Sequence, residues 1–129
     1  MKPPVPPGAN MGPPDVGELR ELIDQWAEFT TDLDKGYSFD LDNWLNDVDV
    51  RELILEALPM FSSEEMGEHA LKLDLADKAF LAATHDFKKC VWGKGTAKKE
   101  NWTPQKNWWY FRTPLSSNGQ LEDELATIR

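Results

Sequence analysis

The stretch DVGELRELIDQWAEF at residues 15–29 carries the strongest secondary-structure signal in the sequence. Asp15 can cap a helix, and Glu18 follows three residues later, which is the spacing of a capping box. The apolar side chains recur every three or four residues, the period of one helix face. They are Val16, Leu19, Leu22, Ile23, Trp26 and Phe29. The opposite face is acidic, so we predict an amphipathic helix with a solvated acidic side.

A second helical pattern follows a short turn. Asp40 or Asp42 can begin a short helix, since aspartate is a preferred N-cap residue. Its apolar side chains are Leu41, Trp44, Leu45 and Val48. Asp49 and Glu52 then repeat the capping spacing, so we expect a separate helix to begin there and to end at Pro59.

Residues 62–75 leave two interpretations open. Three leucines at alternate positions are typical of a strand: Leu71, Leu73 and Leu75. A helix could start at the serine pair of this segment, but Gly67 weakens it, and we expect a turn or a short helix. Asp74 and Asp77 can then serve as the cap and third residue of a helix that continues to about His85.

Beyond Asp86 the pattern changes to that of β-strands. Residues 89–92 are Lys-Cys-Val-Trp, and residues 107–112 are Asn-Trp-Trp-Tyr-Phe-Arg. Short runs of β-branched and aromatic residues bounded by turn residues predict strands, and we expect these two to pair antiparallel. Their connection is longer than a hairpin turn, which indicates a functional or mobile loop. The last ten residues have apolar side chains at helical spacing and predict a short terminal helix.

These elements predict an α+β fold, in which three to four amphipathic helices pack on a small antiparallel β-sheet or hairpin near the C-terminus. A chain of 129 residues corresponds to one domain, which we assign to residues 15–129. Six of the nine prolines fall within residues 1–14, where their fixed φ angles and missing N–H groups prevent a helix or a central strand. We therefore predict a flexible proline-rich tail at residues 1–14.

The sequence lacks the features of membrane and secreted proteins. Its longest apolar run, residues 79–83, is far shorter than the roughly 20 residues that span a bilayer. No apolar segment follows Lys2 as a signal peptide would require. Cys90 is the only cysteine and cannot form an internal disulfide, which agrees with a reducing compartment. We expect a cytoplasmic protein that does not insert into membranes.

Charge is distributed unevenly along the chain. The formal net charge is −9, but residues 1–87 carry −13, residues 88–113 carry +6 and residues 114–129 carry −2. Such an asymmetry is relevant to electrostatic steering and partner choice. The total argues against a general nucleic-acid-binding protein, while the basic segment keeps a local site open.

The aromatic run in the basic segment supplies the candidate partner-binding residues. In a strand, Trp108 and Tyr110 would share one face while Trp109 and Phe111 share the other. Because both faces would be aromatic, core packing is one interpretation and a partner-binding surface is the other. The candidate partner-binding residues are Trp92, Trp102, Trp108, Trp109, Tyr110, Arg112, Lys98 and Lys99.

The sequence contains no legible pattern of catalytic or metal-binding residues. A calcium loop beginning at Asp32 would need glycine and glutamate where the chain has Tyr37 and Asn43. His85 and Cys90 lie five residues apart, but a cysteine in an apolar strand is usually a buried and unreactive thiol. We therefore expect no enzymatic activity, no metal site and no cofactor.

The composition favours a small acidic, non-enzymatic protein-interaction module of the inhibitor or immunity type, which binds a basic partner. Electrostatic complementarity would speed such an encounter. The contacts would come either from the aromatic edge at Trp102, Trp108 and Tyr110 or from the acidic helices. The acidic candidates are Asp24, Glu28, Asp32, Asp47, Glu52 and Glu56. The alternative is single-stranded nucleic-acid binding through the basic aromatic segment 88–112, where lysines would follow phosphates and rings would stack on bases.

Overall fold

The computed structural model describes residues 15–129, so the predicted tail at residues 1–14 lies outside the described residues. Within them the chain forms six α-helices and two short strands. In order these are α1 (Val16–Leu33), α2 (Leu41–Ala57), α3 (Ser63–Met66), α4 (Glu68–Ala83), β1 (Thr84–Asp86), α5 (Lys94–Glu100), β2 (Arg112–Pro114) and α6 (Gly119–Ala126). The predicted α+β class is confirmed, although six helices replace the expected three to four. None of these helices, over the residues described, is long and apolar enough to cross a membrane.

Helix α1 begins where its sequence predicts. The Asp15 carboxylate accepts a hydrogen bond from the backbone N–H of Glu18 at 2.8 Å, as an N-cap residue does. The side chains of Leu19, Ile23 and Trp26 have no solvent exposure, and the helix packs on α4 and α2. Each side chain of this size stabilises the fold by about 1.5–3 kcal/mol when it is fully buried. The apolar face of α1 therefore anchors the helix in the core and leaves the acidic face in solvent.

Helix α2 is continuous, so the prediction of a new helix at Asp49 is wrong. The helix is capped by Asp40, which accepts a hydrogen bond from the Asn43 N–H at 3.0 Å, and it continues to Ala57. Pro59 follows in a 3-10 turn at Leu58–Met60. Asp49 is buried within α2, and its carboxylate binds side chains from other segments instead of capping a backbone N–H.

Helix α4 begins at Glu68, not at the predicted cap Asp74. Gly67 separates it from α3 with a φ of +56°, a backbone conformation that favours glycine. The alternation of leucines that is typical of a strand belongs to this helix. Leu73 is buried, whereas Leu71 and Leu75 project into solvent.

The sheet has two strands, and its position differs from the prediction. β1 pairs antiparallel with β2, with His85 opposite Thr113. Arg112 spans the pair, since its Nε donates to Thr84 Oγ1 at 2.8 Å and its Nη1 donates to the Asp86 carboxylate at 2.7 Å. The predicted small antiparallel sheet is confirmed, but the predicted pairing of residues 89–92 with residues 107–112 is wrong.

The segments predicted as strands have other conformations. Residues 89–92 form an irregular turn, and Trp108–Phe111 form a 3-10 turn. This turn buries the neighbouring side chains of Trp109 and Tyr110 together, whereas a strand would direct them to opposite faces. The expected loop between the two segments contains helix α5.

An aromatic cluster lies at the centre of the core. Trp44 of α2 stacks on Phe80 of α4, with ring centroids 5.9 Å apart and planes 22° from parallel. Trp26 of α1 contacts the same Phe80 at a centroid distance of 5.1 Å. Aromatic pairs in such geometries contribute about 0.5–1.5 kcal/mol beyond the burial of their surface. The cluster therefore ties the three long helices together.

A largely buried ion pair joins the same helices and the 3-10 turn at Trp108–Phe111. Arg51 of α2 donates to both carboxylate oxygens of Asp77 of α4, at 2.9 and 3.0 Å. Trp26 Nε1 donates to the same carboxylate at 2.9 Å. The guanidinium also lies over the Trp109 ring, 4.9 Å from its centroid. Asp77, predicted as a helix-capping residue, is thus the acceptor at the meeting point of four elements.

We predict that Asp77→Ala lowers the free energy of unfolding by about 3–5 kcal/mol, because it leaves the buried guanidinium of Arg51 without its partner. The matched control is Asp74→Ala on the same helix, which removes an exposed ion pair with Lys78. We expect that control to cost at most about 0.5 kcal/mol. Urea denaturation of both variants measures the difference, and equal losses would contradict the role assigned to Asp77.

Candidate functional site

The eight residues predicted to bind a partner lie in different environments. The three buried residues are Trp102, Trp109 and Tyr110, and the three half-buried residues are Trp92, Trp108 and Arg112. The two exposed residues are Lys98 and Lys99, which lie on α5. The core-packing interpretation therefore applies to the three buried rings. Arg112 is engaged in the sheet, so the eight residues do not form one continuous exposed surface.

Asp49 of α2 holds much of this aromatic segment in place. Its Oδ1 accepts hydrogen bonds from the Tyr110 hydroxyl at 2.8 Å and from Trp92 Nε1 at 3.0 Å. Trp102 stacks on Tyr110, with ring centroids 4.0 Å apart and planes 21° from parallel. A single carboxyl group thus positions three aromatic residues from the C-terminal part of the chain.

Burial changes the proton affinity of the carboxyl groups on this side of α2. It raises the pKa of Asp49 to about 7, although the hydrogen bonds from Tyr110 and Trp92 act in the opposite direction. Glu52 is also buried, accepts a hydrogen bond from Asn107 Nδ2 at 2.6 Å and has a pKa raised chiefly by burial. Neither carboxyl group forms an ion pair within residues 15–129.

A groove of about 630 Å³ lies beside the aromatic segment, and we call it the basic groove. Its exposed cations are Lys88, Lys89, Lys94 and Arg129. Its buried or half-buried residues are mainly apolar: Cys90, Ala97, Trp102 and Phe111. Three of the seven cations of residues 88–113 line the groove, and the predicted partner-binding residues Lys98 and Lys99 do not.

The lysines of residues 88–106 have no acidic partner in the described part of the chain. None of the six forms an ion pair, whereas Arg112 pairs with Asp86. The buried carboxyl groups of Asp49 and Glu52 accept hydrogen bonds from Tyr110, Trp92 and Asn107, and Lys106 acts on the pKa values of Glu52 and Glu56 without forming an ion pair within residues 15–129. The positive charge of this segment is therefore directed towards solvent.

A line of carboxylates runs along the exposed face of α1, and we call it the acidic stripe. Its members are Glu18, Glu21, Glu28 and Asp32. Their spacing places them on one side of the helix over about 21 Å. Among the described residues, Glu18, Glu21 and Glu28 form no ion pair, and Asp32 has only a 4.0 Å contact with Lys35. Sequence reasoning named Glu28 and Asp32 but missed Glu18 and Glu21, although their helical spacing could have identified them.

The other predicted acidic contacts are partly occupied by the fold. Asp24 accepts from Lys72 Nζ at 2.7 Å and lies 3.0 Å from His69 Nε2, and the Lys72 hydrogen bond holds the pKa of Asp24 below its usual range. Glu52 is buried, as described above, whereas Glu56 is exposed. The free acidic surface therefore follows α1 more than α2.

The acidic stripe leads into a small cleft of about 280 Å³, which we call the acidic cleft. Its carboxylates are Glu28, Asp32 and Asp47, and its aromatic residues are Phe29, Tyr37 and Phe39. Tyr37 meets Phe29 and Phe39 edge-on, at interplanar angles of 88° and 74°. Phe39 is 59% exposed, so an apolar ring is presented to solvent beside three carboxylates.

The wall of the acidic cleft is fixed by Tyr37. Its hydroxyl donates to the Asp47 carboxylate at 2.6 Å, and its backbone N–H donates to the Ser116 carbonyl at 2.8 Å. Burial raises the pKa of both the Tyr37 hydroxyl and the Asp47 carboxyl group. The preceding Gly36 has a φ of +96°, and a Cβ there would lie 3.2 Å from Ser116 Oγ. The cleft is thus formed by the fold itself.

Aromatic faces combined with carboxylates suit a cationic ligand group, such as a guanidinium or an ammonium. The groups with potential nucleophilic or metal chemistry are placed differently. Burial raises the pKa of the Cys90 thiol, which keeps the thiol protonated, and His85 is exposed on β1. Within residues 15–129 no three His, Cys, Asp or Glu side chains are grouped so that they could hold a metal ion.

Comparison with known proteins found no matching family model, no matching curated protein and no matching solved structure.

The raised pKa of Asp49 predicts a pH-dependent stability. Because the folded chain holds this proton up to about pH 7, the contribution of Asp49 to the free energy of unfolding falls as the pH rises from about 4 through 7. Asp49→Asn keeps an acceptor oxygen but has no proton to lose. We expect the stability of the wild type, relative to this variant, to fall by about 2–3 kcal/mol between about pH 5 and pH 8.

Urea denaturation at the two pH values measures this change, with the exposed Asp123→Asn as the baseline variant. Parallel pH curves for wild type and Asp49→Asn would contradict the buried, protonated state of Asp49.

Proposed function

We propose that this chain is a small acidic, non-enzymatic protein-interaction module that binds a basic protein partner through α1, in the manner of an inhibitor or immunity protein. The observation that carries the proposal is the acidic stripe, whose carboxylates lead into an acidic cleft lined by aromatic rings. A cytoplasmic location, expected from the sequence, stays part of the proposal.

The acidic stripe supports long-range attraction of such a partner. Three of its four carboxylates form no ion pair within the described residues, so a partner's cations would not have to displace existing pairs. The formal net charge of −9 has the same sign as the stripe. Complementary charge raises association rates and disfavours acidic competitors.

The acidic cleft supports a short-range anchor. An arginine or lysine of the partner could place its charge against Glu28 and Asp32 and its stem or guanidinium against Phe39. Cation–π contacts contribute about 0.5–2 kcal/mol, depending on how completely they are desolvated. Arginine and aromatic residues are also enriched in protein interfaces.

The alternative, single-stranded nucleic-acid binding through residues 88–112, has less support. Stacking on bases needs exposed rings, and Trp102, Trp109 and Tyr110 are buried. Its remaining support is the lysines of that segment, which form no ion pair in the part of the chain that the structure describes.

Charge reversal on the acidic stripe tests the proposal. The variant is Glu21→Lys with Glu28→Lys, and the matched control is Glu122→Lys with Asp123→Lys, two exposed positions on α6. We expect the stripe variant to lose about tenfold or more in affinity at low salt, and the control to lose much less, because only the stripe faces the partner.

The partner is first captured from native lysate on the immobilised chain, identified and purified, and its affinity for each variant is then measured at low and high salt. The loss should shrink at high salt, since salt screens exposed charges. Equal binding by the stripe variant and the control, or a captured protein that salt does not release, would contradict the proposal.

Phe39→Ser tests the acidic cleft separately. Phe39 is 59% exposed, so we expect folding to be retained while affinity for the purified partner falls by about three- to tenfold. Leu115→Ser is the matched control, because Leu115 is 58% exposed and does not line the cleft. If both substitutions change the affinity equally, the cleft is not the anchor.

A further inference from the structure

The basic groove is a second surface that the proposed function does not use. It shares no lining residue with the acidic cleft and none with the acidic stripe. Its volume of about 630 Å³ lies within the range of sites that hold small molecules. Its combination of apolar wall and cationic border is unusual for an acidic chain.

The walls of the basic groove are held by backbone hydrogen bonds. Phe87 donates its N–H to the Phe111 carbonyl at 2.8 Å, and Lys94 donates its N–H to the Arg129 carbonyl at 2.8 Å. The loop after α5 is fixed by the Trp102 N–H, which donates to the Ala97 carbonyl at 2.9 Å. A ligand would therefore enter a site that is already formed, which reduces the entropy cost of binding.

The apolar wall of the groove rests on the buried network of α2. Trp102 stacks on Tyr110, whose hydroxyl is bound by Asp49. Phe111 extends this wall, and the protonated thiol of Cys90 adds an uncharged surface. An apolar body of a ligand would be removed from water along these side chains, which is favourable in proportion to the area covered.

Two lysines of the groove are hydrogen-bonded to the C-terminal residues, one through its side chain and one through its backbone. Lys89 Nζ donates to the Ile128 carbonyl at 2.6 Å, and Lys94 is joined to Arg129 through its backbone. Neither lysine forms an ion pair within residues 15–129, and neither does Lys88. An anion in the groove would be attracted to each of these lining cations.

We propose that the basic groove binds a small amphiphilic anion, a molecule with one carboxylate, sulfonate or phosphate head and an apolar body. The head lies among Lys88, Lys89 and Lys94, and the apolar body lies against Trp102 and Phe111. The proposal needs no exposed stacking ring and no extended track of cations, both of which a single-stranded nucleic acid would require.

Substitution of two different pairs of lysines in the basic segment distinguishes binding in the groove from a general attraction of anions. Lys88 and Lys94 line the groove, whereas Lys98 and Lys99 are also exposed and form no ion pair within residues 15–129, but do not line it. The test variant is therefore Lys88→Gln with Lys94→Gln, and the matched control is Lys98→Gln with Lys99→Gln. Both lower the net charge by the same amount.

The probe is dodecanoate, titrated below its micelle-forming concentration into the full chain and followed by calorimetry. We expect saturable binding of one dodecanoate per chain, an affinity about tenfold weaker in the Lys88/Lys94 variant, and little change in the Lys98/Lys99 control. Gln105→Glu, which adds a negative charge at a groove residue, should also weaken binding, whereas Gln120→Glu on α6 should not.

Three results would overturn the proposal. The first is the absence of saturable dodecanoate binding to a wild-type chain whose folding is verified by circular dichroism. The second is equally tight binding of dodecyl maltoside, which has the same chain and no charge. The third is tight, salt-dependent binding of oligothymidylate that the two double substitutions of lysine weaken equally. That result would favour the nucleic-acid alternative. None of these results depends on the acidic stripe, so this proposal and the proposed function can fail separately.

Discussion

Three polar side chains within one turn of α2 are buried, and the rest of the structure depends on how they are satisfied. Asp49 binds Tyr110 and Trp92, Arg51 binds Asp77, and Glu52 binds Asn107. A buried polar group without a hydrogen-bond partner costs about 1–3 kcal/mol, and a charged one costs more, so each side chain requires its partner to be correctly positioned. These partners lie on α4 and in the C-terminal part of the chain. The buried side chains of α2 therefore fix the positions of α4 and of the C-terminal part.

The sequence predicted the parts of the fold that local interactions determine. Helix α1 follows from its cap at Asp15 and its apolar spacing, both of which act within a few residues. Asp49 was misassigned because an aspartate beside an apolar run has the same appearance whether it caps a helix or accepts hydrogen bonds from distant side chains. The aromatic run was assigned to a strand from its β propensity, but burial of both Trp109 and Tyr110 favours a 3-10 turn. Tertiary contacts determine the role of Asp49 and the conformation of the aromatic run, and the residues next to them in the sequence do not indicate those contacts.

The sequence predicts the sign of the charge on each candidate surface but not which residues form that surface. The regional charges of −13 and +6 correctly indicated an acidic body and a basic segment. Whether a given side chain is free depends on its partners in space: Asp24 is paired with Lys72, whereas Glu21 on the same helix has no ion pair among residues 15–129. The grooves themselves combine residues far apart in the chain, such as Lys89 and Arg129, and spacing alone cannot reveal them.

The buried carboxyl groups of α2 contact the basic segment through neutral donors. Asp49 accepts from Tyr110 and Trp92, Glu52 accepts from Asn107, and both carboxyl groups have pKa values raised chiefly by burial. Because burial raises the pKa of Asp49 to about 7, this carboxyl group carries less negative charge at neutral pH than an exposed aspartate does. Since the same carboxyl group positions Tyr110 beneath Trp102, the burial of one acid on α2 also shapes the apolar wall of the basic groove.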